Sequence, residues 1–192
     1  MRLVDKAQRG ITLVELMVAI AIFIIILGVG LPGMYTLVRN NQLSGMTVAL
    51  FSDLSFARSE ALKRRTSIQL CKLQAENDTC DTGSNNWSNG WIVFIDAAGG
   101  TAGEYDAGVD TLLKTNRFSN DNLSLRSSLG NTVSLTYRAD GSVSNTTSNT
   151  LFALCDDRDD DGSFETTHSR TVKIYPIGRG KIVAGPVDSC LI

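Results

Sequence analysis

The order of hydrophobic and polar residues divides the chain into a long apolar run near its start and a more polar remainder. From Ile11 to Leu31 the only polar residues are Thr12 and Glu15. A helix over this run is about 30 Å long at 1.5 Å per residue, which matches the thickness of a bilayer core. The run therefore predicts a single transmembrane helix over residues 11–32.

A second helical pattern follows this run. Apolar residues recur there at spacings of three and four, as in an amphipathic helix: Leu43, Met46, Leu50, Leu54, Ala57 and Ala61. Charged residues, including Asp53 and Arg58, are assigned to other faces. The amphipathic half is predicted over residues 33–65, with its end near Arg65.

Residues that weaken a helix, glycine and proline, crowd the junction of the two halves at Gly28, Gly30, Pro32 and Gly33. A proline inside a helix removes one backbone hydrogen bond. We therefore expect a helix that is kinked or partly unwound there.

From residue 66 onwards the pattern changes to short β segments separated by turn residues. The candidate strands are Ser67–Leu73, Trp91–Ile95, Leu112–Phe118, Leu123–Arg126, Thr132–Tyr137, Ser142–Ser144, Leu151–Cys155, Thr171–Ile177 and Lys181–Ala184. Long polar loops are expected at 74–90, 96–110 and 156–169. The order of elements predicts an α+β fold, in which a long N-terminal helix packs on an antiparallel β domain over residues 66–192.

Length and charge limit the possible functions. The 192 residues allow one globular domain with an extended element, and a net charge of -2 gives no general attraction to nucleic acid. The apolar run is longer than the core of a cleaved secretory signal peptide. Arg2, Lys6 and Arg9 precede the run, so the N-terminus should stay in the cytoplasm and the rest should be exported.

The four cysteines fit an exported domain. The chain has no C-x-x-C pair and one histidine, His168, so a structural zinc site is poorly supported. Two disulfides fit an oxidising compartment better. Three pairings are possible; we favour Cys71–Cys80, which closes a short polar loop, and Cys155–Cys190, which fixes the C-terminus.

The start of the apolar run carries a specific motif. The stretch RGITLVEL, from Arg9 to Leu16, resembles the class III signal of type IV pilins and type II secretion pseudopilins. The resemblance implies that a prepilin peptidase removes residues 1–10 by cutting after Gly10, and that Ile11 is then N-methylated. It also implies assembly roles for Glu15 and Pro32, which match the family's glutamate and proline.

The resemblance extends to three later stretches, LCKLQAENDTC…NNWSNGWIVFID, LFALCDDR and IGRGKI. They are similar to the subgroup of minor pseudopilins and minor pilins that contains GspH, FimU and FimT. The resemblance implies a structural subunit that assembles or primes a type IV pilus or a type II secretion pseudopilus. Its partners would be other pilins. It would be a single-pass protein of the bacterial inner membrane with a periplasmic domain, and would then enter a periplasmic or extracellular filament.

The presence of the Glu15 carboxylate within the apolar run requires a physical explanation. A carboxylate deep in lipid costs about 2.5–3.5 kcal/mol on insertion scales. Cleavage after Gly10 would create an ammonium group at Ile11, and that group, or its equivalent on a neighbouring subunit, could pair with Glu15. Pairing between subunits would favour insertion into a filament and set its register. The alternative is that Glu15 reaches the membrane interface by itself.

An acidic stretch resembles the beginning of a calcium loop. Asp157, Asp159 and Asp161 alternate and are followed by Gly162, which suits an oxygen-ligated cation. The twelfth position is His168 instead of the expected glutamate. Ca²⁺ is thus one interpretation, and a solvated acidic hairpin loop is the favoured one. No other cofactor is expected.

A basic cluster lies near the C-terminus, at Arg170, Lys173, Arg179 and Lys181. In FimT-like proteins a G-R-x-R motif at this place is linked to DNA binding in natural transformation. Lys181 stands where the second arginine would be, and lysine contacts phosphate without a bidentate fork. A DNA-binding minor pilin is therefore the alternative function, and an ordinary charged strand and turn is favoured over it. An unprocessed membrane-tethered domain is a third hypothesis.

Enzyme activity is not expected. The chain has no G-x-S-x-G or Cys–His motif, so no nucleophilic site can be assembled. Trp87 and Trp91 flank a polar turn, and they are interpreted as core anchors.

Overall fold

A computed structural model of the chain describes residues 10–118, 122–130, 132–144, 148–158, 161–185 and 190, without the side chains of 29–33. Contacts between Cα atoms divide the chain into two compact units, Met1–Asn40 and Asn41–Ile192. The sites described below each belong to one of these units.

Helix α1 extends over Leu13–Arg64. Thr12 caps its start, because the hydroxyl oxygen accepts a hydrogen bond from the backbone N–H of Glu15 at 3.3 Å. The helix ends one residue before Arg65, which adopts a left-handed φ of 54°. A left-handed residue is the usual end of a helix, so the predicted end near Arg65 is confirmed.

The junction between the two helical halves is helical. α1 continues through residues 28–33, so the expected partial unwinding is wrong, while the kink stays a prediction. One proline removes a single hydrogen bond, and the bonds of the adjacent turns keep the helix in place. Pro32 lies in this stretch, and its side chain is outside the described residues.

The predicted membrane span rests on length and hydropathy. Among the helical residues described, none forms a helix that is both long and apolar enough to cross a membrane. The span predicted over residues 11–32 is not confirmed.

The described strands form two antiparallel sheets of four strands each. In chain order they are β1 (Ile68–Lys72), β2 (Gly90–Ile95), β3 (Thr111–Arg117), β4 (Leu123–Ser127), β5 (Ser134–Tyr137), β6 (Thr150–Asp156), β7 (Glu165–Ile174) and β8 (Gly180–Ala184). The first sheet has the order β3-β2-β1-β5 and the second has the order β4-β6-β7-β8. The α+β fold is confirmed.

β1 pairs with β5 across a long stretch of chain, as at Gln69 and Thr136, and the strand prediction made no statement on this pairing. Two details of that prediction are wrong. The segment Ser142–Ser144 is reduced to one isolated bridge between Val143 and Tyr137. β7 begins at Glu165, inside the predicted loop 156–169, because its first residues are polar and show no apolar alternation.

The hydrophobic core confirms the amphipathic half of α1. All six residues of the predicted stripe are at most 2 % exposed, and they pack against apolar side chains of both sheets. Trp87 and Trp91 are fully buried in this core, and Trp87 meets Phe152 edge-to-face with ring centroids 5.1 Å apart. The interpretation of the two tryptophans as core anchors is confirmed.

Two disulfides join the cysteines in the favoured pairing. Cys71–Cys80 closes the start of the loop between β1 and β2, and Cys155–Cys190 ties the end of the chain to β6. All four cysteines are used, so none is left as a thiol.

Candidate functional site

The peptide bond predicted for cleavage lies outside helix α1. Gly10 and Ile11 precede the first helical residue, Leu13, and both are exposed, Ile11 to 76 %. A Cβ atom added to Gly10 would meet no atom within 4 Å. In the described part of the chain, therefore, no contact requires glycine at this position, and the bond to Ile11 is accessible.

Glu15 lies in the first turn of α1 and is exposed. A negative charge is favourable there, because the helix dipole is positive at this end. Thr12 and Glu15 also have the Ser/Thr-x-x-Glu spacing of a capping box. Sequence reasoning missed the capping role of Thr12, although this spacing before an apolar run signals it.

The helix around Glu15 exposes its apolar side chains. The residues that are at least half exposed are Ile11, Leu13, Val14, Leu16, Met17, Val18, Ile20, Ile22, Phe23, Ile24, Ile25 and Ile26. A helix that is apolar on all sides is typical of a buried or lipid-covered element. This surface therefore requires cover from outside the described chain.

The predicted basic cluster is not brought together as one patch. Lys173 and Lys181 lie directly opposite each other on β7 and β8, and the ammonium of Lys173 lies 5.3 Å from the ring centroid of Tyr175. Arg179 is exposed in the turn between these strands. Arg170 is an odd number of residues from Lys173, so strand alternation puts it on the opposite face.

Close packing requires glycine at both glycine positions of the Gly178-Arg179-Gly180-Lys181 motif. Gly178 has a φ of +80°, and a Cβ atom there would lie 1.8 Å from the carbonyl oxygen of Gly141. A Cβ atom on Gly180 would lie 2.9 Å from the ring of Phe51 on α1. Close approach of the Gly141 backbone and of the Phe51 ring thus explains the two glycines without a contact to DNA.

Arg58 of α1 fastens the same turn. Its Nε donates to the carbonyl oxygen of Gly141 and its Nη2 donates to that of Ile177, both at 3.1 Å. Arg58 and Gly178 line a cleft of about 230 Å³ together with Tyr137 and neighbouring residues. Arg58 lies outside the apolar stripe, as predicted, and its long side chain reaches two turns of the β domain.

Two buried ionisable side chains have shifted pKa values. Burial raises the pKa of Tyr137 above its ordinary value, and the positive charge of Arg58 opposes that shift. Burial lowers the pKa of Lys72 on β1, and the carboxylate of Asp81 opposes this shift. Both shifts favour the neutral form of a group that the core surrounds.

The acidic stretch forms a turn through its own backbone. Asp157 is buried, and its two carboxylate oxygens accept hydrogen bonds from the N–H groups of Asp161 and Gly162 at 3.1 and 2.9 Å. Asp159 lies outside the described residues. Among those described, no group of three acidic, histidine or cysteine side chains is suited to hold a metal, and the calcium site stays a prediction.

A buried carboxylate on α1 was assigned to the wrong face. Asp53 is fully buried, accepts hydrogen bonds from Trp91 Nε1 at 2.8 Å and Asn116 Nδ2 at 3.1 Å, and forms an ion pair with Lys114. The spacing indicates the buried face of the helix, because Asp53 follows Leu50 by three residues and precedes Ala57 by four. It was assigned to another face because a charged side chain was not expected within the apolar stripe.

Comparison with protein families gives two matches. The family described as type II transport protein GspH matches residues 47–178. The prokaryotic N-terminal methylation motif matches residues 5–31. Together the two matches cover the second half of the leader, the start of α1 and most of the β domain.

Known proteins that are similar to the chain include a minor pilin of solved structure. The minor pilin FimU of Pseudomonas aeruginosa PAO1, solved in two crystal forms, matches with TM-scores of 0.59 and 0.56 and identities of 22 % and 23 %. The first form covers 79 % of this chain and 97 % of FimU, and the second covers 77 % and 99 %. This likeness shows a shared fold.

The prepilin peptidase-dependent protein D of Escherichia coli K12 is 38 % identical over 82 residues, which are 42 % of this chain and 48 % of that protein. The match therefore spans about half the length of this relative.

Proposed function

The chain belongs to the GspH family, and we propose that it is a minor pilin or pseudopilin. It is a structural subunit that assembles or primes a type IV pilus or a type II secretion pseudopilus. The observation that carries this proposal is the N-terminal part of α1, whose large apolar side chains are at least half exposed from Leu13 to Ile26. Packing among the helices of neighbouring subunits would cover them.

Before assembly the same helix is anchored in the inner membrane, with the β domain in the periplasm. The basic residues Arg2, Lys6 and Arg9 support this orientation, because positive charge is retained on the cytoplasmic side. The two disulfides support export, since such bonds persist in oxidising compartments.

Processing by a prepilin peptidase removes residues 1–10, and Ile11 becomes the methylated N-terminus. The methylation-motif match over residues 5–31 supports this step. So does the relative described as prepilin peptidase-dependent. The bond after Gly10 also lies in exposed, non-helical chain.

Replacing Gly10 with valine is expected to abolish cleavage without disturbing the fold, because a Cβ atom there meets no atom of the described chain within 4 Å. The intact mass of the membrane-extracted protein, isolated from cells that contain a prepilin peptidase, measures the result. Wild-type protein should lack residues 1–10 and carry one methyl group, and the variant should keep those residues.

Gly28→Val is the matched control, because a Cβ atom at Gly28 also meets no atom within 4 Å and the position is distant from the cleaved bond. This control should be processed normally. If the Gly10 variant were cleaved and methylated like wild-type protein, the proposed processing site would be wrong.

Replacing Glu15 with glutamine is expected to leave cleavage intact and to reduce incorporation into filaments by about tenfold or more. The amide keeps the size of the side chain but removes the charge that pairs with the ammonium of Ile11 in an apolar filament core. An unpaired charge in such surroundings is strongly unfavourable. Immunoblots of sheared filaments and of the cell membranes measure the incorporated fraction.

Glu15→Asp keeps the charge and serves as the control, with most of the incorporation retained. Both variants should unfold like wild-type protein, because Glu15 is exposed and lies outside the hydrophobic core. Normal incorporation of the glutamine variant would contradict the pairing.

A further inference from the structure

A polar cleft of about 280 Å³ lies beside strand β4. It is called the β4 cleft here, and its lining includes Asn86, Ser88, Phe118, Ser124, Arg126 and Phe164. It is separate from the leader and from the basic turn, and Phe164 follows the acidic stretch by two residues. The GspH family role described above does not use it.

The backbone of two chain segments builds the β4 cleft. Ser124 and Arg126 are two residues apart on β4, so their side chains point to the same face. The loop before β2 runs along β4: Trp87 donates its N–H to the carbonyl oxygen of Leu125 at 2.9 Å. The N–H of Leu125 in turn donates to the hydroxyl oxygen of Ser88 at 2.8 Å. These bonds fasten the loop to the edge of β4.

Two polar atoms of the β4 cleft are buried without a hydrogen-bond partner in the described structure. They are the hydroxyl oxygen of Ser124, a residue that is only 3 % exposed, and the Nε atom of Arg126. An unpaired buried polar group destabilises the folded state, so native proteins seldom keep one without a reason. A bound ligand that completes these hydrogen bonds is such a reason.

The polar groups of the β4 cleft are suited to an anion. Asn86 already uses its side-chain oxygen to accept the N–H of Ser88 at 2.9 Å, which leaves its amide N–H groups as donors. Arg126 is a cation with N–H groups only. The carboxylate of Asp156, opposite Leu123 on the neighbouring strand, is not part of the cleft lining; its Oδ2 accepts a hydrogen bond from Arg158 at 3.0 Å, and its Oδ1 is buried without a partner in the described structure. The donors and the charge of the cleft thus favour a negatively charged oxygen ligand.

We propose that the β4 cleft binds a carboxylate that is attached to an apolar group of the size of one amino-acid residue. The carboxylate accepts hydrogen bonds from Ser124 and Arg126, and the apolar part packs against Phe118 and Phe164. The volume fits a ligand of this small size, because about 280 Å³ is just below the range of about 300–1,000 Å³ that is usual for small-molecule sites. Such a carboxylate is supplied either by the C-terminal residue of a polypeptide or by a free organic acid.

Calorimetric titration of the full-length chain in detergent micelles tests the chemistry. The probes are N-acetyl-phenylalanine and its neutral amide, followed by acetyl-Gly-Gly-Phe with a free or an amidated C-terminus. Each acid should bind at least about tenfold more tightly than its amide. Tighter binding of the tripeptide acid than of N-acetyl-phenylalanine assigns the site to a polypeptide C-terminus, and equal binding assigns it to a small acid.

Two variants locate the binding. Arg126→Gln should weaken binding of the acids by about tenfold, whereas Arg179→Gln, at an exposed position outside the cleft, should leave it unchanged. Ser124→Ala should also weaken binding, yet it should raise the melting temperature of the unliganded protein, because it removes an unpaired buried hydroxyl. A residue kept only for stability would not give these opposite effects.

Equal binding of acids and amides, or binding of neither, would overturn the proposal. So would an unchanged affinity in the Ser124→Ala variant, which decides the question even if Arg126→Gln fails to fold.

Discussion

Replacing Asp53 with alanine is expected to lower the free energy of unfolding by about 2–4 kcal/mol. The carboxylate lies fully buried in the core between α1 and the first sheet, and it accepts hydrogen bonds from Trp91 and Asn116. Truncation leaves the indole N–H of Trp91 buried without an acceptor. Lys114, whose side chain is 44 % exposed, can turn to water, so we assign little of the loss to the ion pair.

Thermal unfolding of the full-length chain, followed by tryptophan fluorescence, measures this loss. For a chain of this length, each kcal/mol lowers the melting temperature by about 2–4 °C. The matched control is Asp53→Asn, which preserves the shape and the acceptor for Trp91 but not the charge. It should lose less than half as much as the alanine variant.

The order of the two variants separates two interpretations of Asp53. If the hydrogen bonds dominate, alanine is much worse than asparagine; if the ion pair dominates, the two variants lose the same amount. An alanine variant as stable as wild-type protein would mean that the network does not hold α1 on the sheet.

Local patterns predicted those parts of the fold that depend on neighbouring residues. The stripe from Leu43 to Ala61 and the end of α1 follow from helical spacing alone, and the leader motif is contiguous in sequence. The division into two sheets does not follow from any local pattern, because it depends on the pairing of β1 with β5, which is distant in sequence. Strands with a similar alternation of apolar and polar residues do not specify which strands they pair with.

Side chains that act through contacts distant in sequence were harder to predict. Asp53 has the spacing of a core residue, but its partners Trp91 and Asn116 lie on strands that are distant in sequence. Ser124 and Arg126 look like ordinary polar residues of a strand, and only the loop around Asn86 turns their surroundings into a cleft. The local periodicity of apolar residues contains no information about contacts between segments that are distant in sequence.

Replacing Gly178 with alanine is expected to lower the free energy of unfolding by about 2–5 kcal/mol. Part of the loss is the left-handed conformation, which costs a residue with a Cβ atom about 1–2 kcal/mol. The rest is overpacking, because the new Cβ atom would lie 1.8 Å from the carbonyl oxygen of Gly141. The two turns must separate, and the hydrogen bonds from Arg58 to Gly141 and Ile177 are then weakened.

Gly108→Ala isolates the contribution of packing. Gly108 has a φ of +88°, close to the +80° of Gly178, and a Cβ atom there would meet nothing within 4 Å. Its substitution should therefore cost only the conformational part, and the difference between the two variants in thermal unfolding gives the contact between the turns. Equal losses in both variants would show that the turns do not press on each other.

Arg179→Ala completes the comparison within the Gly-Arg-Gly-Lys motif. Arg179 is exposed, so its truncation should change the free energy of unfolding by less than about 0.5 kcal/mol. A large loss for Gly178 beside a negligible loss for Arg179 would divide the motif into a structural part and a part that is available to solvent. The glycines would then need no nucleic acid to account for them, and any binding by this turn would have to depend on Arg179 and Lys181 themselves.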